Sequence, residues 1–508
     1  MKFKNLLLIG LVTFSVGCTD LTEELNEDLT EDVATKILID NADVSALLQA
    51  SYEGLRLPYQ DQSRYWAAQE HTSDEVMGPT RGPDWDDNGI WRSLHNHTWD
   101  ADHGFLGDTF NELLQVVFST TNILTFQPSA AQGAEARFLR AFVMLSIVDG
   151  WGQVPFRNPG DNLLEAPKVL SGADAVDFII SEMNEIMGDL PERGTTPHVA
   201  NKDAARTLLM KAYLNKGAFA NKSNPTFDAG DMTKVIDLAD EIIASGTYNL
   251  TGGYFENFAP NNDQISTENI FTGENRGGES SGPVRSRWFC GLHYNQNPSG
   301  WNGFTTIADF YDKFDANDPR IGGTDYPNMT EVSGIKVGFL LGQQKDQDGN
   351  DLMDRKGNPL AFTKAVSIKE EGNNLEVTGI RVMKYPIDYA SGDNVDNDYV
   401  FYRYADVLLM KAEAAMRNGD NATALTIVNE IRTARNAPQL MSIDADGMID
   451  ERGFELYWEG HRRTDLIRFG KFLNAWNEKP ASDATRLLFP IPSAALAVNP
   501  NLTQNPGY

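Results

Sequence analysis

The chain has 508 residues, 41% hydrophobic and 10% aromatic, enough for a large core. Its formal net charge of −29 disfavours nucleic acid and anionic membrane surfaces as partners. After the first 17 residues no stretch approaches the length of a membrane-spanning helix.

At the N-terminus, Lys2 and Lys4 precede an apolar run from Leu6 to Val16, followed by Gly17 and Cys18. A basic start, a short apolar run and a small residue at the cut predict a signal peptide over 1–17. A cysteine at the cut resembles a bacterial lipoprotein signal, in which Cys18 becomes the lipidated first residue; Ser15 departs from that pattern. Lipid on Cys18 leaves Cys290 with no disulfide partner. Residues 18–40 carry Asp20, Glu23, Glu24, Glu27, Asp28, Glu31 and Asp32, an acidic tether.

The remainder, 41–508, reads as one domain in three parts: a helical block 41–245, an irregular segment 246–400, and a helical block with a tail, 400–508. Apolar periodicity predicts helices over 43–57 (ending before Pro58), 108–127, 132–148, 172–190, 203–219 and 231–245. In the second block it predicts 400–418, 421–435, 448–459 and 464–476. The irregular segment is rich in Gly, Asn, Asp and Pro and predicts hairpins and a few strands, as at 268–272 and 379–385. The pentapeptide at 208–212 recurs at 408–412, each time in the first helix of a pair, with small residues at crossing points. Such pairs resemble tetratricopeptide repeats, so the fold class is mainly α with an irregular half.

Several catalytic or metal-like signals fail on context. Gly278 to Gly282 fits G-x-S-x-G, but Pro283 follows and no helix pattern starts there. His95, His97, Asp100, Asp102 and His103 lack a metal-site spacing and read as capping and pairing groups. Asp346, Asp348 and Asn350 resemble the start of a calcium loop, but Asp351 stands where Gly is needed and Gly357 where Glu is needed. No catalytic residue, metal or cofactor is assigned.

Three motifs together resemble the SusD/RagB family. They are Glu135–Ala141 followed by Gly150–Pro155, Tyr402–Ala414, and Arg452–Arg468; the ending Phe489–Pro492 with Asn499–Tyr508 is similar too. The charges in these motifs, Arg137, Arg140, Glu455, Glu459, Arg462, Asp465 and Arg468, read as partly buried ion pairs and helix caps. The resemblance implies a lipid-anchored protein on the outer face of the outer membrane. It also implies that the protein captures glycans and hands them to a SusC-like TonB-dependent transporter. The alternatives are a peptide-binding lid and a secreted glycoside hydrolase.

A sugar ring wants flat aromatic platforms with planar polar groups beside them. Two loops carry both. The first holds Arg81, Asp84 and Trp85 on a Gly-Pro turn, with Arg81 and Asp84 placed to pair with vicinal hydroxyls and Trp91 just beyond. The second holds Trp288, Cys290 and Tyr294, followed by Trp301. Trp99, Trp151, Trp458 and Trp476 are expected in the core. The first loop resembles that of glycan binders in the family. The resemblance implies that Trp85 and Cys290 face one another across a pocket, that Arg381 also faces it, and that fructan is the glycan.

Overall fold

In the computed structural model, the described residues are 39 and 41–508. The expected signal peptide, Cys18 and the tether through residue 38 lie outside them. Among the described residues no helix is long and apolar enough to cross a membrane.

Several of the long helices start where a short polar side chain takes up free N–H groups. We label the principal helices α1 (Val44–Glu53), α2 (Arg56–Gln60), α3 (Tyr65–Glu70), α4 (Gly104–Ile123), α5 (Ala130–Trp151), α6 (Gly172–Ile186), α7 (Lys202–Ala220) and α8 (Ala229–Ala244). Those after the irregular segment are α9 (Tyr404–Arg417), α10 (Asn421–Ala434), α11 (Ala445–Leu456) and α12 (Arg462–Arg468). Ser129 and Gln132 form a reciprocal capping box on α5, and Asn201, Asp228, Asp420 and Asp444 cap α7, α8, α10 and α11.

Helices α4 to α8 pack in sequence order, each on the next, and α9 then packs on α8 and α10 on α9. Thus α8 joins the two helical blocks across the chain of 246–400, so the helix pairs form one continuous stack. The recurring pentapeptide shows how. Lys211 of α7 pairs with Asp406 of α9 at 2.6 Å, and Lys411 of α9 pairs with Asp240 of α8 at 2.5 Å. Ala204, Ala205, Ala212, Ala412, Ala414 and Ala415 are all buried, letting the helices approach closely.

Several boundaries differ from the sequence reading. The first helix breaks at Gly54, and Pro58 sits inside the first turns of α2, where its missing N–H costs nothing. Residues 399–403 form a strand rather than the start of α9; it pairs antiparallel with Asn269–Gly273, and both strands are fully buried. The last predicted helix stops at Arg468 instead of continuing to Trp476.

The motif charges pair within both helical blocks, most of them fully buried. Arg403 reaches Glu459 at 2.7 Å, Glu455 at 2.8 Å and Glu268 at 3.3 Å. Arg435 reaches Glu268 at 2.6 Å and Glu455 at 2.8 Å. Arg462 holds Asp74, Arg468 holds Glu413, and Arg137 and Arg140 both hold Glu182. Removing one member strands its partner in low dielectric, so these motifs answer to the fold rather than to a ligand.

The irregular segment folds back onto the first block. Thr80–Arg81 pairs in parallel with Lys369–Glu370, and Met77 exchanges backbone hydrogen bonds with Thr305. These pairings set the two candidate loops beside each other.

Candidate functional site

The second loop is fixed first. Backbone N–H groups of Trp301, Asn302, Gly303 and Phe304 donate to carbonyls of Phe289, Leu292, Cys290 and Cys290 in turn. This clasps residues 289–292 to 301–304 and leaves Trp301 at the surface, 48% exposed. Its ring stacks on the half-buried Phe289 with centroids 6.0 Å apart and planes 26° apart. Arg285 also lies over the Phe289 ring, 5.3 Å from its centroid.

The first loop closes against it. Trp85 takes a left-handed backbone angle, φ 60°, which turns its side chain back toward the second loop. The indole N–H donates to the Trp301 carbonyl at 2.8 Å. The ring packs on Phe304 and Trp91 and lies against Gly303 so closely that a Cβ there would stand 2.3 Å from Trp85 Cε2. Trp85 is therefore half-buried. Glycine at 303 is required by this approach, not by its backbone angle.

Beside the aromatics stands a polar group drawn from four segments. The Tyr294 hydroxyl donates to Asp84 Oδ2 at 2.9 Å. Burial, and then the Asp84 carboxylate, push the Tyr294 pKa up to about 12. The Arg355 guanidinium lies over the Tyr294 ring, 3.8 Å from its centroid. Its Nε donates to Glu376 Oε1 at 2.8 Å, and its backbone N–H to Glu376 Oε2. His293 completes the cluster with Nε2 at 2.9 Å from Glu376 Oε2. Burial raises the Glu376 pKa, but hydrogen bonds from His293 and Arg355 outweigh it and hold the carboxyl below its ordinary range. Asp84 and Arg355 are 45% and 49% exposed.

Sequence reasoning missed Arg355. The signal that places it is a repeated turn, Asp-x-x-Gly-Asn, at 346–350 and 354–358. In each turn the Asp Oδ1 accepts two backbone N–H groups, and the Asn side chain donates to the other oxygen. Gly349 and Gly357 supply the positive φ, 81° and 83°. Arg355 sits at the second position of the second turn.

Four expected ligand residues are corrected by burial. Arg81, Trp288, Cys290 and Arg381 are 2%, 1%, 0% and 0% exposed. Arg81 donates to the carbonyls of Leu375, Thr378 and Gly303 and to the Thr378 hydroxyl. Arg381 donates to the carbonyls of Thr378, Gly379 and Glu376 and to Asn302 Oδ1. Both guanidinium groups hold the 375–379 turn and the back of the second loop. Burial lowers the Arg81 pKa to about 10 and the Arg381 pKa further. Burial also pushes the Cys290 thiol upward. The expected opposition of Trp85 and Cys290 across a pocket is replaced by Trp85 against Gly303.

The histidine-rich stretch divides among separate partners: His95 with the Asn477 carbonyl, His97 with Thr72 and Ser482, and His103 with Ile90, Ser93 and the start of α4. Among the described residues no group of three or more His, Cys, Asp or Glu is placed to hold a metal.

An exposed indole on two clasped loops that also carry a cluster of carboxylate, guanidinium and phenol suits a polar ring with apolar faces. The chain is similar to several known proteins. Residues 239–482 match the family described as the SusD family. The starch-binding protein SusD of Bacteroides thetaiotaomicron is 27% identical over 425 residues, spanning 76% of this chain and 75% of its own. The SusD-like protein P38 of Formosa agariphila is 25% identical over the full length of both chains. A SusD superfamily protein of Parabacteroides distasonis superposes with a TM-score of 0.71 at 19% identity, covering 94% of this chain and all of its own. A laminarin-binding SusD-like protein gives 0.69 at 21% identity, covering 92% and 99%.

Proposed function

Because the chain belongs to the SusD family, we propose that it is a glycan-binding surface protein whose ligand lies on Trp301. The carrying observation is that two loops far apart in sequence are clasped to present one exposed indole, and that the same two loops carry Asp84 and Tyr294, with Arg355 laid over Tyr294. The aromatic face takes the C–H side of a sugar ring, and the polar cluster takes its hydroxyls. On this reading the site captures its ligand without chemistry, in keeping with the glycan-binding relatives.

The remaining parts of the reading rest on the family and on the N-terminal sequence. Cys18 carries lipid, the anchor holds the protein at the outer face of the outer membrane, and a SusC-like TonB-dependent transporter receives the glycan. The relatives named for starch binding and for laminarin binding support a glycan over a peptide. Fructan enters as one glycan to be tested; the Cys290 half of its support does not reach the surface.

Screening the protein against arrays of glycans and of peptides tests the reading. Glycan binding that disappears in Trp301→Ala is expected. Peptide binding, or glycan binding indifferent to Trp301→Ala, contradicts it.

A further inference from the structure

Asp84 and Arg355 stand side by side, Arg355 Nη2 3.7 Å from Asp84 Oδ2. That separation is too long for a hydrogen bond between them. It leaves an acceptor and a donor next to each other, both about half exposed. Asp84 Oδ2 is held by the Tyr294 hydroxyl, and Oδ1 takes no hydrogen bond within the described residues. Arg355 is anchored through Nε and its backbone N–H to Glu376, which His293 holds in turn, while its two Nη groups make no hydrogen bond there.

The arrangement is pre-set rather than adaptable. The repeated Asx turn fixes the backbone of Arg355, and Asn295 ties the hairpin down through the Met353 carbonyl at 2.8 Å. The guanidinium plane rests on Tyr294, so little rotamer freedom remains to be lost on binding. It also covers that face of Tyr294, which makes Arg355 and not the Tyr294 ring the surface that a ligand meets there.

A donor and an acceptor at this spacing match two neighbouring hydroxyls on one sugar ring, one donating to the carboxylate and the other accepting from the guanidinium. We propose that Asp84 and Arg355 read a vicinal diol, so that this site, on the glycan-binding reading above, selects chains whose in-chain residues keep two adjacent hydroxyls free. The 1,4-linked glucans and the fructans have such a pair in every in-chain unit. A 1,3-linked glucan has none, because the linkage occupies the position between its free hydroxyls.

Isothermal titration of the protein with maltohexaose, an inulin-type fructan oligosaccharide and laminarihexaose tests this. Repeating it with periodate-oxidised, borohydride-reduced samples of the first two removes the diol while keeping the polymer. At least one diol-bearing glycan is expected to bind, with laminarihexaose and the oxidised samples weaker by about tenfold or more. Arg355→Ala costs about tenfold on the diol-bearing glycan and changes laminarihexaose by less than about twofold. Thermal melts, and the milder Arg355→Gln, separate that loss from misfolding. Equal affinity for laminarihexaose, undiminished binding after oxidation, or full affinity in folded Arg355→Ala overturns the diol reading while the Trp301 site stands. No binding by any of the glycans, or binding unaffected by Trp301→Ala, overturns the glycan site and the inference together.

Discussion

Trp85 donates its indole N–H to the backbone carbonyl of Trp301, 2.8 Å away in space and 216 residues away in the chain. One tryptophan thus fixes the backbone of the other, and the pair divides the labour of the site. Trp85 is buried far enough to hold the loops together, and Trp301 is left open at the surface. The contact depends on Gly303, which has no side chain to keep the Trp85 ring away.

Gly303→Ala is therefore expected to displace Trp85 and unseat Trp301. The cost in stability is about 1–3 kcal/mol, that of overpacking one methyl group. The cost in glycan affinity is larger in proportion, because the whole platform shifts. Calorimetry alongside a urea melt measures both; unchanged affinity would mean that Trp85 does not position Trp301.

Cys290 is expected to be inert. It is fully buried and its thiol is pushed upward by desolvation, so little thiolate forms. A thiol reagent applied to the native protein, followed by peptide mapping, should leave Cys290 unmodified until denaturant is added. Cys290→Ala should keep the wild-type glycan affinity. Rapid native labelling would place the residue at the surface.

Arg81→Ala is expected to destabilise the protein by about 2–4 kcal/mol, since it strips donors from buried carbonyls on two segments. Its glycan affinity should recover when the temperature or denaturant concentration is lowered enough to restore the fold. An affinity loss with no loss of stability would return Arg81 to the ligand.

The helical part was legible because most long helices carry a local period and stop, and several a cap of their own. Apolar periodicity and caps such as Ser129 and Asn201 act within a few residues, so they are visible locally. The recurring pentapeptide likewise pointed to a paired stack, which Lys211 and Lys411 then bridge. The site was legible only in part. Trp85, Asp84, Tyr294 and Trp301 come together, yet Arg81 and Arg381 have the same residue chemistry as ligand-binding arginines and turn inward. Which way they turn is decided by free carbonyls at 375–379 and 303, far from them in sequence. Arg355 escaped notice for the same reason: its partners Tyr294, Glu376 and Asp84 lie on three other segments. The start of α9 failed locally because residues 399–403, apolar enough for a helix, are taken by pairing with 269–273.

The buried pair Glu70 and Glu75 predicts a pH dependence. Glu70 accepts the Gly460 N–H at 2.6 Å, and Glu75 accepts the Trp458 N–H at 2.9 Å. Burial raises the Glu70 pKa from 4.5 to about 7, so the folded protein keeps a proton that the unfolded chain has released. That contribution to stability is fully present below the unfolded value and falls as pH rises to the folded one. Glu70→Gln carries its donor at every pH, and its urea midpoint should fall less than that of the wild type across this window. A wild-type midpoint that rises there, with Glu70→Gln following in parallel, would contradict the proton retained on Glu70.

The most direct measurement is a titration of wild-type protein and Trp301→Ala with the best-binding oligosaccharide from the array, with thermal melts on both. An unchanged melting temperature and an affinity weaker by about tenfold or more are predicted, as expected for loss of a stacking indole. A folded Trp301→Ala with wild-type affinity would contradict the account, because the one indole that both loops are built to display would then have no part in binding.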